Sequence, residues 1–354
     1  MGEKVLMKGN EAIGEAAIRS GCRHFFGYPI TPQTELSAYM AKKMPKIGGV
    51  FLQAESEVAA INMVYGAAGA GARTMTSSSS PGISLKSEGI SYIAGADLPC
   101  VIVDIVRGGP GLGGIQPAQS DYHQATKGLG HGDYKMVVLA PSSVQEIINL
   151  TAEAFDIADI YRMPVMLLGD GMLGQMMEPV EFNLDSKREV PEKTWATTGT
   201  EMKREHNIIN SLYIQPDGLE KIVLERNKKY KYIEENEVKY EEYLADDADY
   251  IIAAYGSTAR IAKNAIDELR KEGIKAGLIR PITLWPFPSE VYKKHAEHAK
   301  AILSVEMSLG QMIDDVKLAV EGKAPVYFYG RTGGNIPYPN EIIAEVKKLA
   351  GGAL

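Results

Sequence analysis

The sequence predicts an α/β fold built from two domains, each a parallel-type sheet flanked by helices. Three observations carry this. The chain has 354 residues, more than one hydrophobic core usually supports. Short strand-like runs alternate with helical patterns of roughly 10 to 15 residues, the rhythm of parallel strands covered on both faces. A charged stretch almost free of Gly and Pro separates two such series.

In the first series, residues 10–20 are Ala-rich and helical, 23–26 form a short strand, 33–44 an amphipathic helix and 49–53 a second strand. Residues 56–69 are again Ala-rich and helical, 73–77 extended, 85–94 helical, and 99–106 a continuous buried strand interrupted only by Asp104. Residues 135–139 and 142–161 give a strand and a long helix, and 164–169 closes the series. Residues 1–190 therefore form the first domain. Residues 191–247 form a linker in which 217–249 reads as one amphipathic helix, with Leu219, Ile222, Val223, Tyr230, Ile233, Tyr240 and Leu244 near helical spacing. The second domain, 248–354, has strands at 250–255, 276–280, 301–305 and 325–329, and a helix at 259–272. Its Gly256-Ser257-Thr258 turn reads as a helix cap.

Composition narrows the function. The net charge of −7 argues against a nucleic-acid or anionic-membrane surface. No apolar run approaches the roughly 18 residues of a membrane span, and the N-terminus lacks the apolar core of a signal peptide, which points to a cytoplasmic chain. The two cysteines, Cys22 and Cys100, read as small buried hydrophobes and fall short of the about four ligands of an iron–sulfur cluster. His295 and His298 lie in a charged helical stretch that reads as a solvated face, so no metal site is expected.

Three positions carry chemistry. Pro29 and Pro32 bracket Thr31 in the turn Gly27-Tyr28-Pro29-Ile30-Thr31-Pro32, stiffening it at the carboxyl end of a strand, where ligands of open α/β sheets collect. Taken alone, this segment fits a helix start, with Thr31 as N-cap and Pro32 at the first helical position. Glu57 opens a helix of small residues, which fits a stabilising first-turn carboxylate and also close approach by a flat ligand. Arg107 follows the buried strand and leads into the Gly-rich run 108–114, which resembles a mobile cover. A guanidinium there suits bidentate binding of a carboxylate. No phosphate-loop ending and no dinucleotide fingerprint accompanies the glycines, which disfavours a nucleotide-dependent dehydrogenase.

The turn 28–32, the segment 53–66, the serine run 77–82 and the strand 99–107 together resemble the 2-oxoacid:ferredoxin oxidoreductases. The likeness is to the alpha subunit, which carries the pyrimidine domain of thiamine diphosphate, nearest the 2-oxoisovalerate (branched-chain) type. Residues 250–288 are similar to a transketolase-type C-terminal domain. The resemblance implies that Glu57 hydrogen-bonds N1′ of the aminopyrimidine and activates the cofactor. It implies that Thr31 faces substrate and thiazolium, and that Arg107 binds the 2-oxoacid carboxylate. Tyr28, Pro29, Ile30 and Ser80 would line the cofactor. The chain lacks cluster cysteines and a diphosphate–Mg²⁺ motif. Gly169-Asp170-Gly171 is superficially close, but no Asn follows at the required distance.

Mg²⁺ and [4Fe-4S] clusters are therefore expected in partner subunits: a beta subunit binding the diphosphate, a gamma subunit and a ferredoxin-like cluster subunit. Ferredoxin, coenzyme A and the 2-oxoacid complete the expected partners. No Lys or Arg occurs from Gly108 to Thr126, which leans toward an apolar 2-oxoacid over 2-oxoglutarate. The same chemistry on 2-oxoglutarate or pyruvate, and a non-catalytic scaffold role, remain the alternatives.

Overall fold

The computed structural model describes residues 4–184 and 188–351. Strand β1 (Val5–Lys8) runs directly into helix α1 (Gly9–Arg19). Then follow β2 (His24–Gly27), α2 (Thr34–Lys43), β3 (Val50–Gln53), α3 (Glu57–Gly69), β4 (Thr74–Ser78), α4 (Pro81–Gly95) and β5 (Cys100–Val106). Beyond a long loop come α5 (Tyr122–Thr126), β6 (Val137–Leu139), α6 (Val144–Tyr161), β7 (Pro164–Asp170), α7 (Gly171–Gln175) and β8 (Met177–Val180). The second half holds α8 (Pro216–Asn236), β9 (Tyr240–Tyr243), β10 (Tyr250–Ala253), α9 (Gly256–Lys271), β11 (Ala276–Pro281) and β12 (Thr283–Trp285). It ends with α10 (Ser289–Ala296), β13 (Ala301–Glu306), α11 (Met312–Val320), β14 (Val326–Gly330) and α12 (Pro339–Ala350).

The first sheet has seven strands in the order β12-β6-β7-β5-β4-β2-β3, the second has five in the order β14-β13-β10-β11-β9. Within the first, the strands from β6 to β3 run parallel. Its centre is β5, every residue of which is buried, including Asp104 at 1% exposure. A β-branched run without polar alternation has no solvent face to offer, so it sits under helices on both sides.

Four strands lie where none was expected. β1 and β8 pair antiparallel as a separate ribbon. β12 leaves the second half and pairs antiparallel with β6, so the second unit supplies the edge of the first sheet. β9 pairs antiparallel with β11, so the linker helix expected across 217–249 stops at Asn236. Of the seven residues in its predicted stripe, only Tyr230 and Ile233 are buried, while Leu219, Tyr240 and Leu244 stay more than 40% exposed. The helix is held by charge as much as by its stripe: Asp97 receives Arg226 at 2.9 Å and Lys229 at 2.8 Å.

A further correction concerns His295. Its ring is fully buried and hydrogen-bonds Glu242 of β9. The charged helical pattern concealed this because the covering carboxylate comes from a strand more than fifty positions away. No helix among the described residues is long and apolar enough to cross a membrane. Cys22 and Cys100 are both free and buried, and burial pushes each thiol up to about 12.

Candidate functional site

The carboxyl edge of the first sheet gathers the residues singled out in the sequence. The turn after β2 leaves Tyr28, Pro29 and Thr31 exposed and Ile30 half-buried. Thr31 does not cap α2: the helix begins at Thr34 with Gln33 at the cap position and no side-chain cap bond. Two buried amides tie the turn down. Gln33 Nε2 donates to the Tyr28 carbonyl at 3.3 Å while its Oε1 accepts from Ser77 Oγ at 2.7 Å. Asn10 Nδ2 donates to the Pro32 carbonyl at 2.8 Å.

Arg107 reaches the same turn. Its Nη1 donates to the Thr31 carbonyl at 2.9 Å and its Nη2 to the Leu112 carbonyl at 2.9 Å, while Nε is buried without a partner. The Gly-rich run is thus no free cover. Gly108 N donates to Gln116 O at 3.0 Å and Gly114 N to Gly108 O at 2.8 Å, folding the loop back on itself beneath the guanidinium. Leu112 projects from its tip at 85% exposure.

Glu57 is the first residue of α3, whose N-cap Ser56 accepts from Ala59 N at 3.2 Å. The carboxyl points inward, at 6% exposure, against the start of α4. A side chain at Gly82 would lie 2.1 Å from Ser78 Oγ and 2.8 Å from Glu57 Oε1, so only glycine lets the helix start approach the carboxyl this closely. Ser80 stands between β4 and α4 with φ +31°, a strained value for a side-chain-bearing residue. Bonds hold it there: its N–H donates to Asp104 Oδ1 at 3.1 Å, and its hydroxyl accepts from Arg107 N at 3.1 Å. The structure therefore joins Thr31, Ser80 and Arg107 through direct bonds, with Glu57 seated next to Ser78 and Gly82.

Two cavities flank the Arg107 loop. One of about 520 Å³ is lined by Thr31, Ile115, Met172 and Ile336. The other, of about 650 Å³, lies between the domains and is lined by Ser80, Arg107, Asp121, Gln124, Gln311 and Thr332. The domain junction that shapes it rests on Gln119, fully buried in effect at 2% exposure. Its Nε2 donates to Tyr255 O at 2.9 Å, and its Oε1 accepts from Thr258 Oγ1 at 2.8 Å and Met307 N at 3.0 Å. The Gly256 turn is accordingly a buried docking point. Asp170 of the Gly-Asp-Gly segment caps α7, accepting from Met172 N and Leu173 N.

The site residues that sequence reasoning passed over are Gln33, Lys86, Asp104, Gln119 and Asp121. Asp104 alone left a signal, as the one charge inside an apolar strand. Glu242, Asp246 and His295 bring three ligand-type atoms within 4.8 Å of one another; Glu242 bonds His295 Nε2 and has Lys294 at 3.7 Å, while His295 Nδ1 is buried without a partner.

A buried carboxyl at a helix start, unpartnered hydroxyls on Ser78 and Ser79, and an unpartnered Arg107 Nε fit a polar ring cofactor and an anion, in a two-domain parallel-sheet frame. This is the class of thiamine diphosphate-dependent enzymes, and the comparisons agree. Residues 15–242 match the thiamine diphosphate-binding family of pyruvate flavodoxin/ferredoxin oxidoreductases. Residues 248–342 match core domain II of pyruvate:ferredoxin oxidoreductase. The chain is 49% identical, over 98% of both lengths, to the ketoisovalerate oxidoreductase subunit VorB of Methanothermobacter marburgensis. Among solved structures it resembles the 2-oxoglutarate:ferredoxin oxidoreductase of Magnetococcus marinus, with a TM-score of 0.87 and 29% identity over 98% of this chain and 65% of that one. It also shares its fold with a split-gene transketolase at a TM-score of 0.58 and 16% identity, covering 99% of each chain. The chain belongs to the 2-oxoacid:ferredoxin oxidoreductase family.

Proposed function

We propose that the chain is the alpha subunit of an oxidoreductase that converts 2-oxoisovalerate and coenzyme A to the acyl-CoA and CO₂ while reducing ferredoxin. The observation that carries this is Glu57, buried at a helix start beside unpartnered serine hydroxyls on the carboxyl edge of the first sheet. The bound thiamine diphosphate would supply the carbon centre that adds to the 2-oxo group and stores the electrons of decarboxylation. The protein's part is positioning and proton handling. Glu57 would accept and return a proton at the ring nitrogen it faces. Ser78, Ser79 and Ser80 would shape the ring pocket, with Tyr28, Pro29 and Ile30 covering it. Thr31 would face the reacting carbon.

Arg107 would bind the substrate carboxylate with the donors that Thr31 and Leu112 leave free, already oriented by those two carbonyls. The diphosphate, Mg²⁺ and clusters would be held by beta, gamma and ferredoxin-like partner subunits in a cytoplasmic complex. The branched substrate is favoured because the loop between the two cavities presents Leu112 and Ile115, both exposed, and no cation. Lys127, the next cation, is engaged by Asp315, and Arg331 by Glu341. Neither of these two side chains offers an uncommitted charge to a distal carboxylate. The test is the assembled complex assayed with 2-oxoisovalerate, 2-oxoglutarate and pyruvate and a viologen acceptor. The branched acid should show the highest kcat/KM, and preference for 2-oxoglutarate would overturn the assignment.

A further inference from the structure

Lys86 is a fully buried lysine that nothing above has used. It lies one helical turn beyond Gly82 on α4, so it shares the face that meets Glu57. Its exposure is 0% and its Nζ has no hydrogen-bond partner. Lysines are almost never buried in this way unless paired. The carboxylates whose charges reach it are Glu57 and Asp104. Burial lowers its amine to about 8 despite those charges.

Asp104 in turn belongs to a pair. Its Oδ1 accepts from Ser80 N at 3.1 Å, while its Oδ2, like Asp121 Oδ2, has no donor in the protein. The two side chains meet in a hydrogen bond, which two carboxyls can make only by sharing a proton. Burial and the neighbouring Asp121 push Asp104 well up, and burial raises Asp121 too, so the pair as a whole retains a proton. Asp121 lines the interdomain cavity beside Arg107. With one proton shared, the acid pair carries a single negative charge close to the Lys86 amine. A cluster this deeply buried is stable only when nearly neutral. Tyr255 of the second half is a further titratable group facing the pair, and Asp170 and Glu306 reach that same tyrosine.

We propose that Lys86 is a positioning residue for Glu57. Its amine supplies the counter-charge that keeps the Glu57 carboxyl ready to accept a proton, and the proton-sharing Asp104–Asp121 pair keeps that amine charged. This deepens the reading of Glu57 given above and rests on it. The cleft floor and the cofactor carboxyl then titrate as one unit through a residue that touches neither substrate nor cofactor.

The test uses the complex with its partner subunits. Lys86→Met should lower kcat by ~10-fold, leave KM for the 2-oxoacid within about twofold, and move the acid limb of the kcat profile up by about one pH unit. In the cofactor-free complex, the infrared carboxyl band abolished by Glu57→Gln should titrate at higher pH in Lys86→Met than in the unmodified protein. Asp121→Asn, at the cavity rim, should shift both readouts in the same direction by less. Profiles and infrared titrations unmoved in both variants overturn the proposal. If Lys86→Met does not assemble, Asp121→Asn decides alone. Normal turnover in Glu57→Gln removes the reading of Glu57 and this proposal with it. A loss there with unchanged Lys86→Met and Asp121→Asn overturns this proposal only.

Discussion

Single side chains at this site do more than one job, which shapes what their removal should show. Glu57→Gln keeps the shape and the inward geometry but removes the proposed proton acceptor. Turnover in the assembled complex should fall by ~10²–10⁴ with folding unaffected. Arg107→Ala removes the proposed substrate donor and also the two bonds that pin the Thr31 turn to the Leu112 loop. Steady-state kinetics should show about 1.5–3 kcal/mol lost in kcat/KM, typical of a charged hydrogen bond. Lys86 carries a pH signature. Its amine is lowered from 10.5 to about 8 by burial, so between these values the unfolded chain binds more protons than the folded one. Stability conferred at this position therefore rises as pH climbs through that window, by roughly 3 kcal/mol in all. Denaturation of Lys86→Met should lack this rise, and the variant should be the more stable near neutral pH.

At the scale of elements, the site depends on two helices approaching closely. Gly82 lets the start of α4 meet Glu57, and Gly89, two turns on, lets the same helix rest on Ile61 of α3. A side chain at Gly89 would lie 2.4 Å from Ile61 Cγ2. Gly89→Ala is expected to cost about 1–3 kcal/mol in urea denaturation through this overpacking. Element types were legible where burial is uniform: β5 is apolar but for Asp104, and the Ala-rich run from Ser56 became α3 almost to the residue. Elements failed to show where their apolar partner is remote. Tyr240–Tyr243 reads Tyr-Glu-Glu-Tyr, with no period-two alternation, and its strand character comes from pairing with β11 rather than from local pattern.

The whole molecule works as two sheets locked at one junction. β12 crosses into the first sheet, and Gln119 bonds to Tyr255, Thr258 and Met307 of the second domain. Gln119→Ala would leave those buried groups unpaired, at about 1–3 kcal/mol for each group that finds no substitute. Calorimetry should show a lower melting temperature. The transition should remain single, because the crossed strand still couples the domains.

The linear chain determined the α/β class and singled out Thr31, Glu57 and Arg107 as candidates. Those features rest on local patterning and on residue types that stand out against it. Only the folded chain decided that Thr31 is no cap, that the Gly-rich loop is pinned, and that Lys86, Asp104 and Asp121 form one charged cluster. Each of these depends on bonds between residues far apart in sequence, and hydrogen bonds and buried charges act through distance in space, which a one-dimensional pattern does not encode.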